Sequence, residues 1–473
     1  MNKVFSTLLF LFWFLPVFFA LYYICPAKYR NIVLLIGSII FYGWGEPKYL
    51  LLLVLSILVN YAAGLAIGRF RESTGQVANE GNDRITRPAR EKICLILALV
   101  FDFGMLLFFK YINFFIDNLN HLTGLQIGAV ALTLPLGISF YTFQIVSYVV
   151  DVYRGKVKAE RSVLTLGTYL CMFPQLIAGP IVVYSDVETA RHERKITLSS
   201  IAEGVSVFIL GLGSKVLIAN NVGALWTEMS EAGFENLSMP MAWLTMLSFS
   251  LQIYFDFNGY SLMAIGLGKM LGFTFPQNFN HPYMSKSITE FWRRWHMTLS
   301  GWFREYVYIP LGGNRKGAGR TYVNLLIVWA LTGFWHGADW NFVLWGLFFF
   351  VILAIEKRFL SGFLEKHPVI ASVYAKLLIA FSWMIFAITD LKQIGVFFTR
   401  LFSFTGGTDA LYYLRNYGVI MLIGCVLSTP VLAGAYHKFR MRVPGIVVSM
   451  LIFFASVAYL ADAGYNPFLY FRF

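Results

Sequence analysis

The chain has 473 residues, 58% of them hydrophobic and 13% charged, with a mean hydropathy of +0.64. Those values exclude an ordinary soluble globule, in which about a quarter of the residues are charged. The net charge of +13 would suggest nucleic acid in a soluble protein. Here the basic residues fall in short loops beside apolar runs, which is the pattern of cytoplasmic retention and of contact with anionic lipid, so nucleic-acid binding is not expected.

Apolar runs of about 18 residues or more read as membrane helices. In chain order, candidates fall near 4–24, 30–45, 49–68, 93–110, 132–150, 163–183, 201–222, 241–257, 258–275, 322–336, 340–355, 368–389, 417–436 and 443–461. Several are short or broken, and hydropathy does not separate a re-entrant helix from a spanning one. The first run is too long for a signal-peptide core and lacks an A-x-A-like cleavage site, so it reads as a retained first span. The Arg-rich loop 69–92 has no hydrophobic periodicity and is assigned to the cytoplasm, as are 154–161, 191–195, 293–320 and 437–442; the acidic stretch 226–237 is assigned outside. The span at 49–68 then runs inward, and the N-terminus lies outside. The expectation is a single all-α, multi-pass membrane domain over 1–473, with no second soluble domain and no internal repeat. Lys110 and Lys215 are expected to snorkel to an interface. Pro135-Leu136-Gly137 and Ala178-Gly179-Pro180 mark breaks in membrane segments. Cys25, Cys94, Cys171 and Cys425 are far apart and read as small hydrophobes, so neither a disulfide framework nor a metal site is expected.

Residues 291–316 read as one amphipathic helix at the membrane interface. Trp292, Trp295, His296, Leu299, Trp302, Phe303 and Tyr306 share one face, and Arg293, Arg294, Arg304 and Glu305 the other. Pro310 ends the helix, and Gly312-Gly313-Asn314 turns the chain. His296 lies on the aromatic face and so points into the protein. It is either a core histidine bonded to a neighbouring carbonyl or a functional group.

His336 lies in an otherwise almost wholly apolar run, NLLIVWALTGFWHGADWNFVLW from Asn324. An ionisable group at that depth costs about 2 kcal/mol or more to insert and commonly marks a site. The alternative is a histidine joining two helices by a hydrogen bond. Gly333 and Gly337 leave backbone space beside the ring, and Asp339 is near enough in sequence to pair with it. Asp256 and Asn258 place a carboxylate and an amide between two apolar runs. They either line a polar path or satisfy a helix break. With Trp335, Arg304 and Asn314 they are further candidates to line a substrate path.

Two buried histidines suit acyl transfer. A neutral imidazole can take a proton from a hydroxyl as its oxygen attacks an acyl carbon, a step contributing about 10²–10⁴-fold. The ring titrates near neutrality, and burial keeps it uncharged. A second histidine could orient the donor or relay a proton. A proton-coupled transporter or polysaccharide exporter fits part of the same equipment, and an envelope scaffold would need neither ring. No Walker motif, G-x-S-x-G elbow or G-x-G-x-x-G turn is present.

The segment ITEFWRRWHMTLSGWFREYVYIPLGGNRKG from Ile288 resembles the signature of the membrane-bound O-acyltransferases, and most closely the bacterial alginate O-acetyltransferase type. FFKYINFFIDNLN from Phe108, PLGISFYTFQIVSYVVDVYRG from Pro135, FPQLIAGPIV from Phe173, LQIYFDFNGYSLMAIGLGKMLGF from Leu251 and LTGFWHGADWNFVLWG from Leu331 agree with it in order and spacing. The motif core covers about residues 100–360. The resemblance implies a multi-pass helical fold with a central tunnel and re-entrant or interfacial helices, in a bacterial cytoplasmic membrane. It implies that His336 is the principal catalytic histidine and His296 the second functional one, on the cytoplasmic side. It further implies acetyl-CoA as donor substrate with no bound cofactor, an extracytoplasmic SGNH-hydrolase-like partner, and a polysaccharide acceptor. A sister branch moves D-alanine from a carrier-protein thioester toward teichoic acid. Leu311-Gly312-Gly313-Asn314-Arg315 matches the alginate type better.

Overall fold

The computed structural model describes residues 5–73, 89–192, 194–462, 466 and 469. Among the described residues every regular element is helical and no strand is present. Six helical stretches among the described residues are long and apolar enough to cross a membrane: Pro47–Ser73, Ala89–Thr123, Leu198–Ala232, Pro368–Ala387, Asp409–Leu427 and Val443–Asp462. The shorter candidate runs of the sequence reading are shorter or more polar helices. Most of the loop assigned to the cytoplasm, 74–88 of 69–92, lies outside the described residues, as does residue 193 of 191–195.

The chain forms two compact units. One comprises Leu11–Ser200 with Gly268–Pro276. Its centre is three helices packed on one another: α1 (Leu50–Ser73), α2 (Ala89–Thr123) and α3 (Ile138–Arg154). The break expected at Pro135-Leu136-Gly137 is present. Gly137 adopts φ +73 ahead of α3, where a Cβ would come 2.4 Å from the Leu176 carbonyl oxygen. Only glycine fits there without moving backbone. Lys110 in α2 is half-buried, and its Nζ donates to Ser139 Oγ at 3.5 Å.

The other unit comprises Met1–Phe10, Ile201–Leu267 and Gln277–Phe473. Its site-bearing elements are α4 (Met239–Met270), α5 (Ile288–Trp292), α6 (Met297–Phe303), α7 (Ala318–His336), α8 (Trp340–Ile355) and α9 (Pro368–Ala387). The structure corrects three expectations. The runs 241–257 and 258–275 are one helix, α4, which carries straight through Asp256 and Asn258. Lys215 does not snorkel. It is buried, with Nζ 2.8 Å from Asp256 Oδ1. That pairing removes the need for a helix break, because the carboxylate is neutralised where it stands. The stretch 291–316 is not one helix, since it breaks between Trp292 and Met297. The two faces read from it nevertheless survive: Trp292, Trp295, His296, Leu299, Trp302 and Phe303 are buried, while Arg293 and Arg304 are exposed.

Helices α7 and α8 form a tight hairpin. A Cβ on Gly333 would lie 2.3 Å from the Phe342 carbonyl oxygen, and one on Gly346 would lie 2.4 Å from that of Trp329. Small residues here let two backbones touch, as in other membrane helix pairs. A Cβ on Gly337 would strike the Phe342 ring at 2.0 Å. The glycines flanking His336 therefore make room for α8, where the sequence suggested room beside the imidazole.

Candidate active site

The site is built from the α5–α6 break and the end of α7. Helix α5 is held firmly at its start. Ser287 Oγ accepts from the Glu290 N–H at 2.9 Å, and Glu290 Oε2 accepts from the Lys286 N–H at 2.8 Å. Buried Glu356 accepts from the Ile288 N–H at 2.6 Å, the Thr289 N–H at 2.9 Å and the Thr289 hydroxyl at 2.8 Å. These bonds satisfy donors that a helix N-terminus leaves open.

After Trp292 the chain turns, and His296 takes φ 42 and ψ 53, in the left-handed region. A non-glycine residue pays for that conformation and needs its surroundings to impose it. The strand of chain at 278–280 does so. The Asn280 N–H donates to the Arg294 carbonyl and the Met297 N–H to the Asn278 carbonyl, both at 2.9 Å. The His296 ring is fully buried, edge-to-face with Phe257 at 4.7 Å and with Trp335 at 6.2 Å between centroids.

Hydrogen bonds set the tautomer of His296. Asn278 Oδ1 receives the Thr298 hydroxyl at 2.9 Å and the Thr298 backbone N–H at 3.4 Å, while its Nδ2 donates to Ser261 Oγ at 3.0 Å. A backbone N–H can only donate, so the atom facing Thr298 is the amide oxygen. His296 Nδ1, 3.0 Å from the same oxygen, must then carry the proton. Nε2 is left with a bare lone pair, and it is buried without a hydrogen-bond partner. Burial pushes the imidazole down to about 3, so the ring is neutral across the physiological range and Nε2 is an uncharged hydrogen-bond acceptor.

His336 is the last residue of α7 and is also buried. Its ring lies edge-to-face with Trp345 at 5.0 Å, Phe386 at 5.2 Å and Trp335 at 5.0 Å. Trp335 therefore touches both imidazoles. The structure brings His296, Trp335 and His336 together inside an aromatic cluster, in which Trp292 also packs on Trp345 at 5.6 Å.

The other sequence candidates stand apart from this group. Asp256 is committed to Lys215, and its Oδ2 accepts from the Leu469 N–H at 2.9 Å. Lys215 also donates to Asn220 Oδ1 at 2.8 Å. Asn258 is half-buried on α4. Exposed Arg304 lines a cavity of about 310 Å³ whose wall reaches Trp292, Trp329 and Thr332. Thr332 is one helical turn before His336. Exposed Asn314 lines a neighbouring groove of about 710 Å³ with Lys286, Arg293, Lys357 and Glu356. Arg293, Thr289 and Tyr308 border both spaces. Asp339 is exposed at the N-cap of α8.

Sequence reasoning missed Asn278 and Glu356. Asn278 lies 18 residues before His296 in an irregular segment, and no spacing rule connects them. Glu356 gave a usable signal, a carboxylate at the end of a long apolar run, but its partner on α5 is 68 residues away.

The family model for the membrane-bound O-acyltransferase family matches residues 160–394. The chain is 37% identical to the "Probable alginate O-acetylase" of Pseudomonas putida, over 99% of this chain and 100% of that protein. It is 36% identical to the "Peptidoglycan O-acetyltransferase" of Helicobacter pylori, over 82% of this chain and 78% of that one. Its likeness to the "Teichoic acid D-alanyltransferase" of Bacillus subtilis is 29% over 47% of this chain and 59% of that protein. The chain belongs to the membrane-bound O-acyltransferase family, and is an integral-membrane O-acyltransferase most similar, among these relatives, to alginate O-acetylases.

Proposed function

We propose that the enzyme moves an acetyl group from acetyl-CoA, at the cytoplasmic face of a bacterial inner membrane, toward hydroxyls of an extracytoplasmic polysaccharide. An SGNH-hydrolase-like protein outside the membrane is the expected recipient or relay. The observation that carries the reading is the pair of buried imidazoles against Trp335, one with its tautomer set so that Nε2 can accept a hydrogen bond. His336 acts as general base. It takes the proton from the attacking hydroxyl, the oxygen bonds to the thioester carbon, and the C–S bond breaks to release CoA thiolate, which takes up a proton. His296 Nε2, an uncharged acceptor, orients the donor by accepting a hydrogen bond. Arg293, Lys286 and Lys357, bordering the 710 Å³ groove, offer cations for the phosphates of the donor.

Full-length similarity to alginate O-acetylases, against partial similarity to a D-alanyltransferase, favours acetyl over D-alanyl transfer. The test is a His336→Ala chain expressed in its native host and fed labelled acetate. The expected result is normal membrane accumulation with loss of label from the envelope or secreted polymer. Undiminished label would overturn the assignment, and D-alanine ester in place of acetate would move the enzyme to the sister branch.

A further inference from the structure

Five carboxylates are fully or nearly fully buried among the described residues: Glu91, Asp102, Asp151, Asp256 and Glu356. Four have a cation or a set of backbone N–H groups. Glu91 meets Arg71 at 3.4 Å, Asp151 meets Lys156 at 3.7 Å, and Asp256 meets Lys215 at 2.8 Å. Glu356 accepts the two N–H groups and one hydroxyl at the start of α5. Asp102 has none of these. Its one partner is neutral, the side-chain amide of Asn60, whose Nδ2 donates to Asp102 Oδ1 at 2.8 Å. A carboxylate taken out of water without a counter-charge is strongly unfavourable.

The surroundings of Asp102 supply what a hard cation needs. Asn60 Nδ2 spends its other proton on the Ser56 carbonyl at 2.9 Å. Its Oδ1 is left as a buried acceptor without a partner, as are Asp102 Oδ2 and Ser56 Oγ. Ser56 and Asn60 are four apart on α1 and so share a face, and α1 packs on α2, which carries Asp102. The Tyr141 hydroxyl on α3 is also buried without a partner and lies within electrostatic reach of Asp102. Three mutually packed helices thus carry a carboxylate oxygen, an amide oxygen and hydroxyl oxygens that are buried without partners, and among the described residues no cation is hydrogen-bonded or ion-paired to Asp102.

We propose that Asp102 Oδ2, Asn60 Oδ1 and Ser56 Oγ, between α1 and α2, form a binding site for a sodium ion. Oxygen-only ligands select alkali and alkaline-earth cations over softer metals. The single carboxylate decides between those two groups, because a monovalent ion neutralises it and a divalent ion would leave a buried positive charge. The site ties α1 to α2 and is independent of the acyl-transfer reading. Two measurements on the purified full-length protein test it. Thermal unfolding is followed in NaCl against choline chloride, LiCl and KCl at constant ionic strength. The expected result is a saturable rise in Tm of about 2 °C or more with sodium, smaller with potassium, and absent in Asp102→Asn and Ser56→Ala. Binding of ²²Na⁺, read by scintillation proximity, should reach one ion per chain in the native protein, compete with NaCl and not with choline, so the proposal stays testable if a variant fails to fold. No ²²Na⁺ binding, as expected if water or a proton satisfies Asp102, would overturn it, as would a Tm that responds equally to sodium and choline.

Discussion

Asp256 and His296 are neighbours through one side chain, since Phe257, next to Asp256 in α4, packs edge-to-face on the His296 ring. Both are buried ionisable groups, yet their surroundings are opposite. Asp256 is closed. One oxygen meets Lys215, the other takes a backbone N–H, and Lys215 is further held by Asn220. His296 is half open, with Nδ1 fixed by Asn278 and Nε2 bare. A buried polar atom without a partner costs about 1–3 kcal/mol, and His296 adds left-handed backbone to that cost. Burial alone therefore does not mark the reactive group. What separates the two is which of them leaves an atom with capacity to spare.

Breaking each centre should fail in a different way. After the loss expected for His336→Ala, the largest effect on rate is expected for His296→Asn, which keeps a residue tolerant of left-handed backbone. Acyl transfer should fall by about 10²–10⁴-fold with the Tm little changed. A matching loss of stability would make His296 a structural group like Asp256. Lys215→Met should show the converse. It strands a buried carboxylate and should cost about 3–5 kcal/mol of stability, seen as a lower Tm and poorer accumulation, while the protein that does fold retains its turnover. Next comes Asn278→Ala, which frees His296 Nδ1 and the tautomer. A fall in turnover of about 10-fold or more is expected with KM nearly constant; an unchanged rate would remove Asn278 from the positioning role. The smallest effect concerns pH. Burial lowers His296 from the ordinary imidazole value of 6.5 to about 3. The folded protein then binds fewer protons than the unfolded chain, so this group's contribution to stability is lost as pH falls from about 6.5 toward 3. Activity measured from pH 8 to 5 should show no acid limb from His296, and a limb near 6.5 that disappears in His296→Asn would contradict the buried neutral ring.

Much of this centre was legible before any coordinates. His336 stood out because an imidazole is costly in an apolar run, and His296 because it fell on the aromatic face of 291–316. That face was right even though the helix was not. Its Trp, His and Phe residues are buried along two short helices and the four-residue break between them that ends in left-handed His296, because a periodicity of apolar residues reports which side faces the core and not whether every hydrogen bond of the helix forms. Asp256 and Lys215 were misjudged for one reason. Each was read alone, Asp256 as part of a polar path or of a helix break and Lys215 as a snorkelling chain, and their pairing is a contact across 41 positions that no local pattern encodes. The glycines beside His336 were noticed, but their use in the α7–α8 contact depends on a neighbour, Phe342, whose position is set by the hairpin.

The amino-acid sequence by itself determined that the protein is a helical membrane protein, which runs of it are apolar, and that two histidines sit where charge is expensive. It did so because insertion into lipid depends on composition and length over a single segment. Only the tertiary structure decided which buried groups are satisfied. The proton on His296 Nδ1 is set by Asn278 and Thr298, the Asp256 charge by Lys215, and the bare oxygen of Asp102 by a neighbour, Asn60, that brings an amide and no cation. A hydrogen-bond partner is a matter of where another segment comes to lie, and that is fixed by packing rather than by spacing along the chain.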